Sequence, residues 1–201
     1  SAYIVSGNYV NMVRVYGIDM TTAERFMLTP ERGVMAGDGM RLHPEVLFTD
    51  DVAAGLANKA KDWELAVDEN GNALIDLLEV PVRMTFDSSS LTGEPKADTD
   101  GRALPSGNLY NLRVTGICST LNNNFTSSAF MAYDRLEEMV QANANYLGAA
   151  TETKTAEEKA NGPTYDLVWV KVKNVNDVQR IVKLIRDTGL NTYSLNDMLE
   201  T

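Results

Sequence analysis

The segment YDLVWVKVKNVNDVQRIVKLIRDTGL, residues 165–190, has the most regular pattern in the chain. Branched and aromatic residues fill positions 167–172, which is typical of a strand, and apolar residues then recur at helical spacing. Asn174 stands at the N-cap position of this helix, and Gly189 stands where it would end. The segment therefore predicts a strand, a capped helix and a stop. The buried stripe of the helix is expected to contain Val178, Ile181, Val182 and Ile185.

Strand and turn signals dominate the residues before this segment. Alternating or continuous apolar runs predict strands over residues 9–19, 80–86 and 109–120. Asn70-Gly71, between two further apolar runs, is a hairpin turn signal. These residues are expected to form antiparallel β-structure.

Helical signals are fewer and shorter. A single helical turn is expected over residues 23–27. A strand followed by a helix is predicted over 45–60, with Thr49 as the N-cap. Asp134 and Glu137 have the spacing of a capping box and predict the start of another helix.

Two polar stretches interrupt the pattern, at residues 88–108 and 143–164. Loops of such length in compact domains are, in general, either mobile or functional. We therefore expect these two stretches to carry the specificity for a partner. After the second stretch and the 165–190 segment, residues 191–195 are a candidate last strand.

The composition limits the classes of function. The 201 residues include 18 Lys and Arg against 28 Asp and Glu, a net charge of -10. Nucleic-acid binding requires a basic surface, so no nucleic-acid partner is expected. The longest apolar runs are far below the roughly 18 residues of a membrane span, and no signal peptide opens the sequence. We therefore interpret the chain as a soluble fragment of something larger.

Candidate reactive residues are scarce. His43 is the only histidine and Cys118 the only cysteine, so an internal disulfide is excluded and a His- or Cys-based metal site lacks partners. His43 precedes a proline in a polar segment and is interpreted as an exposed turn residue, the alternative being a catalytic histidine. Cys118 ends an apolar run and is interpreted as a buried structural thiol, the alternative being a reactive one.

Most carboxylates have a structural explanation. Asp50, Asp51, Glu137 and Glu138 fall at predicted helix starts, where the helix dipole favours them. The stretches 68–72 and 98–102 resemble calcium loops, but in both the Gly comes at the fourth position instead of the sixth, and the twelfth position is Glu79 in the first and Leu109 in the second. They are therefore predicted to be turns. An enzyme that uses Glu94, Asp98 or Asp100 is a further alternative.

The two tryptophans are interpreted as packed residues. Trp63 precedes a hairpin and is expected in the core, the alternative being a surface anchor. Trp169 lies on the predicted strand of the 165–190 segment and is expected to pack against a helix or a second sheet. We expect no catalytic residue, no cofactor and no metal. This profile indicates a binding, coupling or scaffolding domain rather than an enzyme.

Five sequence motifs follow one another along the chain: VYGID at 15–19, the strand-helix run at 46–56, VTGI at 114–117, FMAYDRL at 130–136 and IRDTG at 185–189. Their order and spacing resemble the extracytoplasmic core domain of MacB-like and FtsX-like ABC-transporter permeases. The resemblance covers nearly the whole chain. One departure is the absence of the strand-helix-strand unit with which members of that family usually begin.

This resemblance implies an α+β fold of two lobes, a βαβ porter-like lobe with a β-rich lobe inserted. Residues 1–128 would form the β-rich lobe, including the strand-helix of 45–60. Residues 129–201 would form the porter-like βαβ lobe, completed by N-terminal residues. The closing strand and helix of 165–190 would then be half of the porter-like lobe.

The resemblance also implies the function. The chain would be the non-catalytic extracytoplasmic domain of a permease, on the outer side of the cell membrane. It would transmit movement from a cytoplasmic ATPase subunit to an exported peptide, antibiotic or lipoprotein, or to an extracytoplasmic protein partner. The permease would be a dimer and the isolated domain a monomer. The alternative is a free-standing secreted or surface ligand-binding domain.

Overall fold

The computed structural model describes residues 1–37, 42–92, 97, 100–102, 107–122, 125–147, 165, 167–192 and 194. The chain forms two compact units, Ser1–Glu157 and Glu158–Thr201.

The first unit is built mainly from short strands. Its described strands are β1 (Ala2–Ser6), β2 (Tyr9–Ile18), β3 (Pro30–Gly33), β4 (Glu45–Thr49), β5 (Ala57–Asn58), β6 (Glu64–Leu65), β7 (Val82–Thr85), β8 (Tyr110–Cys118) and β9 (Ser128–Ala132). Its helices are α1 (Asp51–Ala54), α2 (Ser89–Thr92), α3 (Tyr133–Ala142) and α4 (Ala144–Leu147), with 3-10 turns at Met20–Phe26 and Thr120–Asn122.

Six of these strands close into a barrel. They follow the order β1-β7-β8-β4-β9-β2, and β2 pairs back onto β1. The β2–β9 and β4–β8 pairs are parallel, and the other four pairs are antiparallel. Closure gives each of the six strands two neighbours within the barrel. The remaining strands extend outward, with β5 and β6 continuing from β2 and β3 pairing with β8.

The main core consists of side chains contributed by several barrel strands. Ile4, Val13, Phe48, Met84 and Met131 belong to one cluster and are at most 1% exposed. Burying side chains of this size contributes about 1.5–3 kcal/mol each. The barrel is therefore closed around packed side chains.

A second set of buried residues lies outside that cluster. In this set, the Phe130 ring stacks on Tyr16 with centroids 5.4 Å apart and meets Phe125 edge-on at 5.1 Å. The other buried members of the set include Met20, Ala23, Leu28, Leu47 and Cys118.

Strand β3 lies very close to an irregularity in β8. Val46 pairs with Val114 and Leu47 with Gly116, so Thr115 is an extra residue in β8. Gly33 pairs with Gly116 and has φ +81°, and a Cβ there would stand 2.1 Å from the Thr115 carbonyl oxygen. Only glycine fits this position.

The expectation of an α+β fold with two lobes, a βαβ porter-like lobe and an inserted β-rich lobe, is wrong. The described residues form a closed six-stranded barrel with extra strands and a few short helices. In this barrel β9 pairs with β2 on one side and with β4 on the other. Local sequence patterns identify strands but do not specify which distant strands pair, and these pairings close the barrel.

Other local predictions were confirmed in the first unit. The 3-10 turn Met20–Phe26 covers most of the predicted turn at 23–27, and strands occupy most of 9–19 and 109–120. At the Asn70-Gly71 turn, Gly71 has φ +83° and Val67 bridges to Ala73.

Two predicted helix caps are wrong. Thr49 ends β4, and α1 begins at Asp51 with Asp50 before it and no side-chain cap. Helix α3 begins at Tyr133, so Asp134 lies in its first turn and makes no capping box. In both places the residue before the helix is still engaged in or next to a barrel strand.

The second unit contains a well-capped helix. The side chain of Asn174 accepts a hydrogen bond from Asn176 N, a 3-10 turn spans Val175–Asp177, and α5 covers Val178–Arg186. Gly189 has φ +86° and follows the helix, as predicted. The predicted stripe is also confirmed, since Val182 is buried and its three companions are half-buried.

The strand predicted over 167–172 is not formed among the described residues of this unit. A strand requires a ladder with a neighbour, which a local pattern cannot supply. Trp169 is half-buried, while Val168 and Val170 are exposed. The predicted strand at 191–195 can be compared only in part, because residues 193 and 195 lie outside the described residues.

Candidate functional site

The two candidate reactive residues, His43 and Cys118, lie where the sequence predicts. His43 is exposed, and Cys118 is fully buried at the end of β8. Burial raises the pKa of the Cys118 thiol to about 11, and the charge of Asp50 acts in the same direction. The thiol is therefore protonated at neutral pH and is not a nucleophile there.

The carboxylates at the end of β4 hold neighbouring loops in place. Asp51 accepts hydrogen bonds from Thr49 Oγ1 at 2.6 Å and Ser127 N at 2.7 Å. Asp50 accepts one from Thr120 N at 3.1 Å. These carboxylates join β4 to the segments after β8 and before β9. The hydrogen bonds of Asp50 and Asp51 therefore stabilise the fold.

The calcium-like stretch at 68–72 is a turn held by its own aspartate. Asp68 accepts from Asn70 N, Asn72 N and Asn72 Nδ2 at 2.8–3.0 Å. The side-chain hydrogen bond from Asn72 is the main cause that lowers the pKa of Asp68. Within the described ranges, no group of three or more His, Cys, Asp or Glu side chains is arranged to hold a metal ion.

Of the three carboxylates named as an enzymatic alternative, Asp100 is exposed, and Glu94 and Asp98 lie outside the described residues. Glu138 is exposed and pairs with Arg135 on the same helix.

The most unusual exposed feature is the loop between β5 and β6. Asn58 O accepts from both Lys61 N and Trp63 N at 3.0 Å, and Glu64 N donates to Lys61 O at 3.0 Å. Asp62 and Trp63 have φ +51° and +62°, so they are the central residues of a turn with left-handed backbone at both positions. Such turns favour Gly, Asn and Asp, so Asp62 suits its position, whereas a Trp at the second position costs about 1–2 kcal/mol.

Trp63 is half exposed, contrary to the expectation that it lies in the core. It is 50% exposed, and Leu65 and Leu74 nearby in the same paired segments are 53% and 68% exposed. Leu74 pairs with Ala66 beside the Val67–Ala73 bridge, so it lies on the other face of this ladder from Leu65. We call Trp63 and Leu65 the Trp63 corner. The residues that flank it in the loop are exposed and charged: Lys59, Lys61, Asp62 and Glu64.

An exposed aromatic side chain among charged residues is a common arrangement of binding surfaces. Trp is enriched among residues that dominate interface energies, and charged groups form the rim around them. The strained backbone adds to the cost of keeping Trp63 at this position. In the sequence KAKDWE, Asp62 is the only turn-favouring residue at the two central positions, and no Gly follows it, so the turn signal is weak.

A second feature that the sequence did not identify is the base of the 88–108 stretch. Asp87 is fully buried and accepts from Ser89 N, Ser89 Oγ and Gly107 N at 2.9, 2.6 and 2.9 Å. One carboxylate thus ties the beginning of the polar stretch to its end.

No protein-family model matches this chain, and no curated protein sequence matches it. Each helix in the described ranges is too short or too polar to cross a membrane.

Proposed function

We propose that the chain is a non-catalytic extracytoplasmic domain of an ABC-transporter permease. It would couple ATP hydrolysis in the cytoplasm to export of a substrate or to control of a partner outside the membrane. The order of the motifs from 15–19 to 185–189 supports this proposal. The Trp63 corner is the observation that carries it furthest, because that surface is suited to contact rather than to reaction.

The hydrogen bonds that four aspartates accept support the same proposal. Asp50, Asp51, Asp68 and Asp87 accept hydrogen bonds that fix loops of the barrel unit. Cys118 is buried and protonated at neutral pH. These groups stabilise a rigid body, which is what a domain that transmits movement requires.

The gene around this segment provides the first test. We expect apolar stretches of about 20 residues on both sides, and a neighbouring ATPase frame with a phosphate loop. A chain that ends near Thr201, with no apolar span and no ATPase neighbour, would overturn the proposal. That result would favour the free-standing secreted or surface ligand-binding domain.

The second test addresses the Trp63 corner in the full-length protein. Trp63→Ala should abolish export or partner control at unchanged protein level and unchanged fold. Leu121→Ala is the matched control, since Leu121 is 93% exposed but lies outside the corner. Equal activity of the Trp63→Ala protein and the wild type would refute a role for the corner.

A further inference from the structure

The hydrogen bonds at the base of the 88–108 stretch continue into helix α3. Asn143, at the C-terminus of α3, is 1% exposed. Its Nδ2 donates to Met139 O and to the Tyr110 hydroxyl, both at 2.7 Å, and its Oδ1 accepts from Asn108 N at 3.3 Å. One buried side chain therefore joins the last turn of α3 to the start of β8.

The Asp87 and Asn143 groups meet at adjacent residues of the chain. Gly107 N donates to Asp87, and the next amide, Asn108 N, donates to Asn143. Fixing one of these amides thus helps to orient the other, because their two successive peptide units are joined at the Gly107 Cα. We call the set Asp87, Gly107, Asn108 and Asn143 the base clamp.

Packing leaves little freedom at the first half of the clamp. A Cβ added to Gly107 would stand 2.4 Å from the Cβ of Asp87, so the Gly107 backbone lies against the Asp87 side chain. The side chains of Asp87 and Asn143 are buried, and buried hydrogen bonds strengthen one another at low dielectric. The clamp therefore has a well-defined closed arrangement.

We propose that the base clamp energetically couples residues 87–89 to the last turn of α3. Release of Asp87 frees the Gly107 amide. Through the Gly107 Cα this weakens the hydrogen bond from Asn108 N to Asn143 and loosens residues 139–143. A contact that moves the base of the 88–108 stretch would reach α3 in this way. The coupling goes beyond the proposed function and does not depend on it, since the 201-residue chain alone can be tested.

Native-state hydrogen exchange resolved by residue provides the test. In Asp87→Ala, the amides of Asn108 and Asn143 should exchange about tenfold faster relative to β2 amides, the factor expected for one lost hydrogen bond. In Asn143→Ala, the α3 amides should already exchange faster, and adding Asp87→Ala should change them by less than about twofold. Unchanged exchange at Asn143 in Asp87→Ala would overturn the proposal.

Two further variants separate coupling from general destabilisation. Asp68→Ala also removes an acceptor of three hydrogen bonds, but in a turn outside the clamp, so exchange at Asn108 and Asn143 should not change. An equal acceleration there would refute the coupling. If Asp87→Ala does not fold, Ser89→Ala removes only one bond to Asp87. It should then accelerate the same amides by a smaller factor, and no acceleration would overturn the proposal.

Discussion

Gly33 and Gly71 form a matched pair that tests how closely β3 approaches the barrel. Both have left-handed backbone, with φ +81° and +83°. A Cβ at Gly71 would have no heavy atom within 4 Å, whereas one at Gly33 would stand 2.1 Å from Thr115 O. Substitution by Ala therefore has the same backbone cost at both positions but a steric conflict only at Gly33.

The difference in cost can be worked out from this geometry. A left-handed L-residue costs about 1–2 kcal/mol at either position. At Gly33 the neighbour is backbone, so β3 must shift, which adds about 1–3 kcal/mol as overpacking. The shift also weakens the Val34 N to Thr115 O hydrogen bond of 2.7 Å, which contributes about 1 kcal/mol. Gly33→Ala should thus be about 2–4 kcal/mol more destabilising than Gly71→Ala.

Urea unfolding followed by far-UV circular dichroism measures the free energy of unfolding of both variants and the wild type. The expected difference corresponds to a midpoint of thermal unfolding roughly 5–15 °C lower for Gly33→Ala than for Gly71→Ala. Equal losses in the two variants would show that β3 does not press on the extra residue of β8. A larger loss in Gly71→Ala would refute the assignment of the turn as open.

Three further predictions concern single groups. Cys118 should resist iodoacetamide at pH 8 in the native protein and react only on unfolding. Because burial raises its pKa from 9.0 to about 11, the stability that the protonated thiol contributes should be fully present below pH 9 and should be lost as the pH rises toward 11, as measured by urea unfolding. The Arg32 hydrogen bond lowers the pKa of Asp76, so Arg32→Gln should raise the carboxyl titration midpoint toward 3.8 in NMR, and the stability from this pair should be lost as the pH falls below 3.8. Trp63→Gly should change the free energy of unfolding by less than about 1 kcal/mol, because relief of the left-handed strain offsets the lost contacts; a loss of about 3–5 kcal/mol in urea unfolding would mean that Trp63 is a core residue.

Local signals succeeded where the partner of a group lies a few residues away. Asn174 accepts from Asn176 N, and Asp68 accepts from the amides that follow it, so the cap and the turn could be predicted from the sequence. Gly71 and Gly189 have the left-handed backbone that such positions require. These features need no knowledge of the distant chain.

The Thr49 prediction failed because a distant partner intervened. Thr49 Oγ1 donates to Asp51 and also accepts from Ser128 N at 3.0 Å, in the first residue of β9. Ser127 N bonds to Asp51 as well. Thr49 therefore joins two barrel strands instead of capping α1. A preference for the N-cap position is weaker than a buried hydrogen bond supplied by another strand.

The prediction of the fold class was wrong for a related reason. Alternation identifies the residues of β4, β8 and β9, yet the same alternation is compatible with a sheet covered by helices and with a barrel. What decides is that β4 lies parallel to β8 and antiparallel to β9, while β2 closes on β1. These pairings join residues more than 60 positions apart in two of the cases, β4 with β8 and β4 with β9. No local spacing encodes them.

The candidate surfaces follow from the same distinction between local and distant partners. The length of the 88–108 stretch indicates a mobile or functional loop, but its anchor, Asp87, is identified only by the hydrogen bond from Gly107 N, 20 residues away. Asn143 is bonded to Asn108 and Tyr110 across more than 30 residues. In the Trp63 corner the opposite holds, because the loop closes locally but has only Asp62 as a turn-favouring residue. Trp63 differs from the residue types that its left-handed backbone favours, so this turn is found from the backbone geometry and not from a sequence motif.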